Sequence, residues 1–231
     1  MKKENQFINV LFSIIIPLII LTRLSKDEYL GPLWGLLIAI LFPFIFGLYG
    51  LIIKKQKSLT SIVGFIGVLL TGIIGLMKFP PHWVALKEAA IPLIIGLIVL
   101  FSTKTSWQLI TKFLYNREFF DIDKIQNKLD SNASQIQLNK KLNKANIFLS
   151  TSFFISAVLN FFLAKIIVQS MPGTTQFNEE IGQMTMLSFP VIALPSVLLI
   201  IFIFWYIMSS IKRLTQLSSN EILSEKLRTI K

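Results

Sequence analysis

Cysteine is absent from all 231 residues, and histidine occurs once, as His82. Without thiols there is neither a disulfide framework nor a thiolate metal site, and a lone imidazole excludes histidine-cluster metal chemistry. No metal and no cofactor are expected. Charge is scarce as well: Asp, Glu, Lys and Arg together make 15% of the chain, against about a quarter in a typical soluble domain. Acid is scarcer than base, with 12 Asp and Glu against 23 Lys and Arg. What the chain has instead is apolar surface, 53% hydrophobic residues and a mean hydropathy of +0.67. That excludes a disordered chain. The expected fold class is all-α, a polytopic membrane protein forming one membrane domain over 1–231.

A helix needs about 20 mostly apolar residues to cross a hydrocarbon core of roughly 30 Å. Six stretches qualify: 7–22, 32–53, 59–77, 83–101, 146–168 and 186–208. The first follows Lys2 and Lys3, as a signal peptide would. It ends in Leu21-Thr22-Arg23-Leu24-Ser25-Lys26, without the small residues of a cleavage site, and is read as a retained span. With the N-terminus inside, 18 of the 23 Lys and Arg fall on cytoplasmic segments, leaving Arg23, Lys26, Lys78, Lys87 and Lys165 towards the other face. This asymmetry puts both termini in the cytoplasm. It also accounts for the net charge of +11, so nucleic acid is not expected as a partner: the basic residues flank spans and do not form one patch.

Outside the bilayer, the sizeable segments are the loop 103–145 and the tail 211–231. The loop is too short for a core of its own. It carries helical spacing, with Trp107, Ile110, Phe113 and Leu114 on one face, then Ile122, Ile125, Leu129, Ala133 and Ile136 among Lys124, Lys128 and Asp130. A basic amphipathic segment of this kind is expected to lie in the interface, apolar face down, as a connector or as a docking surface. Ile222, Leu223, Leu227 and Ile230 in the tail read the same way. Asp121 and Asp123 are explained by helix capping. The opposite face is expected to carry only short loops, the longest about 17 residues on these span boundaries.

Within the spans, Thr60, Gly64, Gly67, Thr71 and Gly75 form a small-residue stripe that suits close helix packing, inside the bundle or between two copies. Ser152, Ser156, Asn160 and Ala164 recur every four residues along one face of the fifth span. An amide at that depth must be paired, by a neighbouring helix or by a ligand. Arg23, Lys87, Glu88 and Lys165 come from three spans and fall at similar depth. Brought together they would make a net positive mouth for an anionic ligand, a lipid phosphate for example; otherwise the cations snorkel and Glu88 pairs with one of them. Pro17, Pro43, Pro92, Pro190 and Pro195 interrupt the spans, which packed membrane helices tolerate. There is no nucleophile elbow, no glycine-rich phosphate loop and no acid–base constellation, so the chain is not expected to be an enzyme.

The stretch Leu33–Arg213 resembles the bacterial inner-membrane intracellular septation protein A group and its uncharacterised six-span relatives. The resemblance rests on the basic turn Lys54-Lys55-Gln56-Lys57, on the lysine of Trp83-Val84-Ala85-Leu86-Lys87, and on Leu159-Asn160-Phe161-Phe162-Leu163-Ala164. The order of spans and loops matches as well; the longer middle loop and Lys165 depart from the pattern. The resemblance implies an inner-membrane protein of envelope maintenance or division, acting through membrane-protein partners. Two readings stay open. One is a non-enzymatic bundle with lateral partners, lipids and a possible homodimer included. The other is a small transporter or lipid-handling protein with Arg23, Lys87, Glu88, Asn160 and Lys165 around an anionic ligand.

Overall fold

The computed structural model describes residues 11–52, 59–105, 108–129 and 132–228. Trp107 and Asp130, placed on the loop's apolar and polar faces above, and Ile230 of the tail lie outside the described residues, as do the side chain of Thr60 and the surroundings of Gly64. Among the described residues, four helices are long and apolar enough to cross a membrane: Gly31–Tyr49, His82–Ser102, Ala133–Ile167 and Thr175–Thr215. The chain is therefore a multi-pass membrane protein. Its contacts divide it into two compact units, 1–91 with 157–193, and 92–156 with 194–231.

The first unit contains α1 (11–24), α2 (Gly31–Ile52), α3 (Leu59–Leu76), the start of α4 (His82–Ser102), the end of α7 (Asn132–Ile167) and α8 (Thr175–Ser188). In α1 the stretches Leu11–Ile15 and Ile20–Leu24 are π-helical around a short α turn that holds Pro17. A proline ring offers no N–H and crowds the carbonyl four residues back, and a wider turn relieves both. Phe189–Ala193, containing Pro190 and preceding Pro195, is π-helical for the same reason. The core of this unit is made by Leu21, Leu36, Ile74, Val84, Ala85, Phe177 and Ile181 with their neighbours. Close approach is set by small residues. A Cβ on Gly75 would collide with the Leu36 side chain, and one on Gly182 would sit 2.6 Å from Thr22 Cγ2.

The second unit holds the rest of α4 and α7, then α5 (Leu109–Phe113), α6 (Ile122–Lys128), α9 (Leu194–Thr215), α10 (Ser219–Ile222) and α11 (Glu225–Arg228). Two expectations are corrected here. The fifth apolar stretch does not begin a helix at Asn146: α7 starts at Asn132 and runs 36 residues, about 54 Å at 1.5 Å per residue and well beyond a 30 Å core. Residues placed in the loop thus extend the helix, since Asn132–Lys144 is rich in good helix formers and free of Gly and Pro. Likewise the longest loop of the opposite face shrinks, because Thr175–Ser188 is helical and buries Phe177, Asn178 and Ile181.

The second correction concerns the amphipathic loop. Ile110, Phe120, Ile125, Leu129 and Ile222 are buried in one core with Leu138, Leu142 and Ile211, while Ala133 and Ile136 stay exposed. The apolar faces of loop and tail thus largely cover each other, while Phe113 stays exposed as Ile136 does. Each segment is too short to bury its face alone; together with α7 and α9 they do so. Backbone pairing fixes the register: the Asp121 N–H donates to the Ile222 carbonyl at 2.9 Å and the Ser224 N–H to the Phe119 carbonyl at 3.0 Å. Arg228 closes the clasp, donating to Asp121 Oδ2 (3.0 Å) and to the Glu221 and Leu223 carbonyls (2.9 and 2.8 Å). Asp121 also caps α6 through the Lys124 N–H, as expected.

Two groups in this clasp respond to pH. Glu221 accepts from the Ser218 backbone N–H and hydroxyl and from Lys124, which hold its carboxyl down at about 2 from an ordinary 4.5. A lowered carboxylate stabilises the folded form above its unfolded pKa and loses that contribution as pH falls to the folded one. The tail is therefore expected to loosen between about pH 4.5 and 2, measurable as faster protease cleavage after Leu217, with Glu221→Gln abolishing the pH dependence. Burial pushes the Tyr115 phenol up to about 12 from 10. The sign is the reverse: its contribution is full below pH 10 and declines as pH rises towards 12.

Candidate functional site

Pro80 and Pro81 precede α4, their carbonyls accepting from the Trp83 and Val84 N–H groups at 3.0 and 2.9 Å. The next turn directs Val84 and Ala85 into the core and brings in Lys87 and Glu88, roughly 8 Å along the helix. Lys87 Nζ lies 2.5 Å from Glu88 Oε1, and its side chain is only 9% exposed, against 27% for Glu88. It also donates to Thr71 Oγ1 on α3 at 2.8 Å. Thr71 spends its own proton on the Gly67 carbonyl one turn back (3.0 Å), which turns a lone pair of the hydroxyl towards the ammonium. Lys87 is thus neutralised and bonded in place, as a charge inside a membrane protein must be. A cavity of about 120 Å³ adjoins the pair, lined by Glu88, Thr71, Thr185, Pro17, Pro43 and apolar side chains.

The other residues of the expected mouth are placed differently. Arg23 is exposed at the last turn of α1, and Lys165 is exposed on α7 with its ammonium 5.7 Å from the Phe161 ring centroid, a cation–π contact. Asn160 is half-buried and partnered. Of the five, the structure brings Lys87 and Glu88 into one polar centre, and the third member of that centre is Thr71, which its spacing assigns to packing. Gly67 and Gly75 do pack, against Ile91 and Leu36. Ser152 is buried and donates to the Leu149 carbonyl of its own helix at 2.7 Å; Ser156 is half-buried and partnered.

A second polar centre, in the second unit, has no counterpart among the residues singled out by sequence. Asn146 is fully buried. Its Oδ1 accepts from the Ile110 N–H (2.9 Å), and its Nδ2 donates to the Val99 carbonyl (2.7 Å) and to Ser102 Oγ (3.0 Å). Ser150, one turn on, donates to the Gly96 carbonyl at 2.8 Å. One amide therefore satisfies the C-terminal end of α4 and the N-terminal end of α5, whose backbone groups have no partners within their own helices. Thr185, Gly96 and Gly182 escape sequence reasoning too; each gains meaning only from the helix opposite it.

No protein family model, no curated protein and no solved structure matches this chain.

Proposed function

We propose that the protein is a six-span component of the bacterial inner membrane, with both termini cytoplasmic, that acts as a non-enzymatic bundle with lateral membrane partners in envelope maintenance or division. The observation that carries the bundle reading is the internal neutralisation of Lys87 by Glu88, with Thr71 accepting a further hydrogen bond from it. Asn146 and Ser150 support it in the same way, since their hydrogen bonds are spent on joining helices. An anion-handling mouth needs a surplus of positive charge at the site, and Glu88 cancels the Lys87 contribution. The orientation rests on the distribution of Lys and Arg in the sequence. Tyr29, in the turn between α1 and α2, and Trp34 and Trp83, in the first turns of α2 and α4, are exposed and suit an interfacial belt at one surface. The envelope role rests on the septation-group resemblance of Leu33–Arg213.

A partner meeting the bundle laterally reaches it through exposed apolar side chains such as Val197, Ile201 and Trp205 of α9. Photo-crosslinkers at these positions in living cells are expected to give one discrete protein adduct. Loss of that partner is expected to reproduce the division or envelope defect caused by loss of this chain. Anion uptake into vesicles by the reconstituted protein, abolished by Lys87→Met, would overturn the reading in favour of transport. Because the chain has no cysteine, single introduced cysteines report its orientation directly. Glu28→Cys is expected to react with an impermeant maleimide in intact cells, and Ser219→Cys only after permeabilisation.

A further inference from the structure

The cavity beside Glu88 has a chemistry that the bundle reading does not use. Its polar wall is formed by Thr71, Glu88 and Thr185. Both hydroxyl protons are already committed, Thr71 to the Gly67 carbonyl at 3.0 Å and Thr185 to the Ile181 carbonyl at 2.8 Å. An ionised carboxylate has no proton to give. Ala39 and Pro43 also line the cavity, and Pro43 has no N–H to offer the Ala39 carbonyl four residues earlier. Among the residues that line the cavity, then, the polar groups are oxygen acceptors, and the neighbouring Lys87 ammonium is already bonded to Glu88 and Thr71. An anion would meet only lone pairs there. A wholly apolar molecule would leave the lone pairs that Lys87 does not use, on Glu88, Thr71 and Thr185, facing a dry site.

We propose that this cavity is a binding site for a small monovalent cation, an alkali ion or ammonium, held by Glu88, Thr71, Thr185 and the Ala39 carbonyl. Hard cations take oxygen ligands, and in membrane proteins carbonyls released where a helix is interrupted commonly supply some of them. A single carboxylate suits one positive charge better than two, since divalent sites recruit more acidic ligands or retained waters. Lys87 shares Glu88 with the bound ion. A carboxylate has about four lone-pair sites, enough to serve both, but the ammonium repels a second cation and so limits its affinity. The site is independent of whether the bundle serves envelope partners.

The test is thermal unfolding of the purified full chain in detergent, titrated with NaCl, KCl or NH4Cl against N-methyl-D-glucamine chloride at constant ionic strength. A bound ion stabilises the folded form by mass action. A saturable rise in Tm is expected with at least one small cation and not with the bulky one; the salt that gives it identifies the ion. Thr185→Val, which keeps the shape and removes the oxygen, is expected to raise the half-saturating concentration about tenfold, the factor that one lost hydrogen-bond-sized interaction produces. Thr185→Ser is expected to restore it, and Lys87→Met to lower it. Equal Tm in all four salts, the result for a cavity that holds only water, would overturn the proposal. So would a cation-dependent rise that Thr185→Val leaves unchanged. Glu88→Gln is expected to abolish the rise; if that variant does not fold, the Thr185 pair decides alone.

Discussion

Lys87→Met is expected to destabilise the folded chain by about 3 kcal/mol, the low end of what breaking a buried ion pair costs. The methionine replaces the lysine stem closely in volume, so packing against the core is largely kept. What is lost is the partner of Glu88, whose side chain is 27% exposed and lines the cavity. Thr71 loses a donor as well, but keeps its bond to the Gly67 carbonyl. Most of the loss is therefore an uncompensated charge, not a missing contact. For a chain of this length the loss corresponds to a fall in Tm of roughly 6–12 °C, read in detergent with N-methyl-D-glucamine as the cation. Arg23→Met and Lys165→Met, on exposed side chains, are expected to change Tm by less than about 2 °C, because surface charges contribute little. A reading in which all three cations form one anion mouth expects the three substitutions to act alike on ligand binding.

The second large effect is expected at Asn146. Leucine has nearly the same volume but neither donor nor acceptor, so Asn146→Leu leaves the Ile110 N–H without its acceptor in a fully buried setting. The Val99 carbonyl keeps a bond from Ser102 Oγ at 2.7 Å, and Ser102 also receives the Leu109 N–H, so the centre is only partly undone. One orphaned backbone group and two lost bonds put the cost at about 2–4 kcal/mol. Since Ile110 belongs to the core that loop and tail share with α7 and α9, the damage is expected there first. Limited proteolysis is expected to cut 103–131 faster in the variant while α7 stays resistant. Uniform protection across the loop would show that Asn146 does not anchor it.

Much of the fold was legible because lipid leaves few alternatives: long apolar runs bounded by charge must be helices, and the four helices long enough to cross overlap runs read from the sequence. The misplacements have a common cause. Asn132–Lys144 and Thr175–Thr185 are polar, and polarity marks the end of a span without marking the end of a helix, which continues past the bilayer wherever its backbone propensity allows. Loop and tail are each amphipathic alone, and on that ground each suits a lipid surface. Which surface covers an apolar face depends on a partner about a hundred residues away, and periodicity does not encode partners. The pairing of Glu88 with a cation is legible, since a short acidic side chain cannot reach the interface. That the cation is its own neighbour Lys87, shared with Thr71, depends on how α3 sits against α4. Thr185 carried no signal at all: a threonine at the end of a polar stretch is recognisable as part of a site only once the cavity is seen.

The most direct measurement is a thermal double-mutant cycle on Lys87 and Glu88: wild type, Lys87→Met, Glu88→Gln and the double variant, all in one detergent with N-methyl-D-glucamine as the cation. If the charged residues of the spans serve to satisfy one another, each single variant loses about 3 kcal/mol. The double variant then returns to within about 1 kcal/mol of wild type, with neither charge left uncompensated. Losses that simply add would mean that the two side chains act separately, and would contradict the self-compensated bundle.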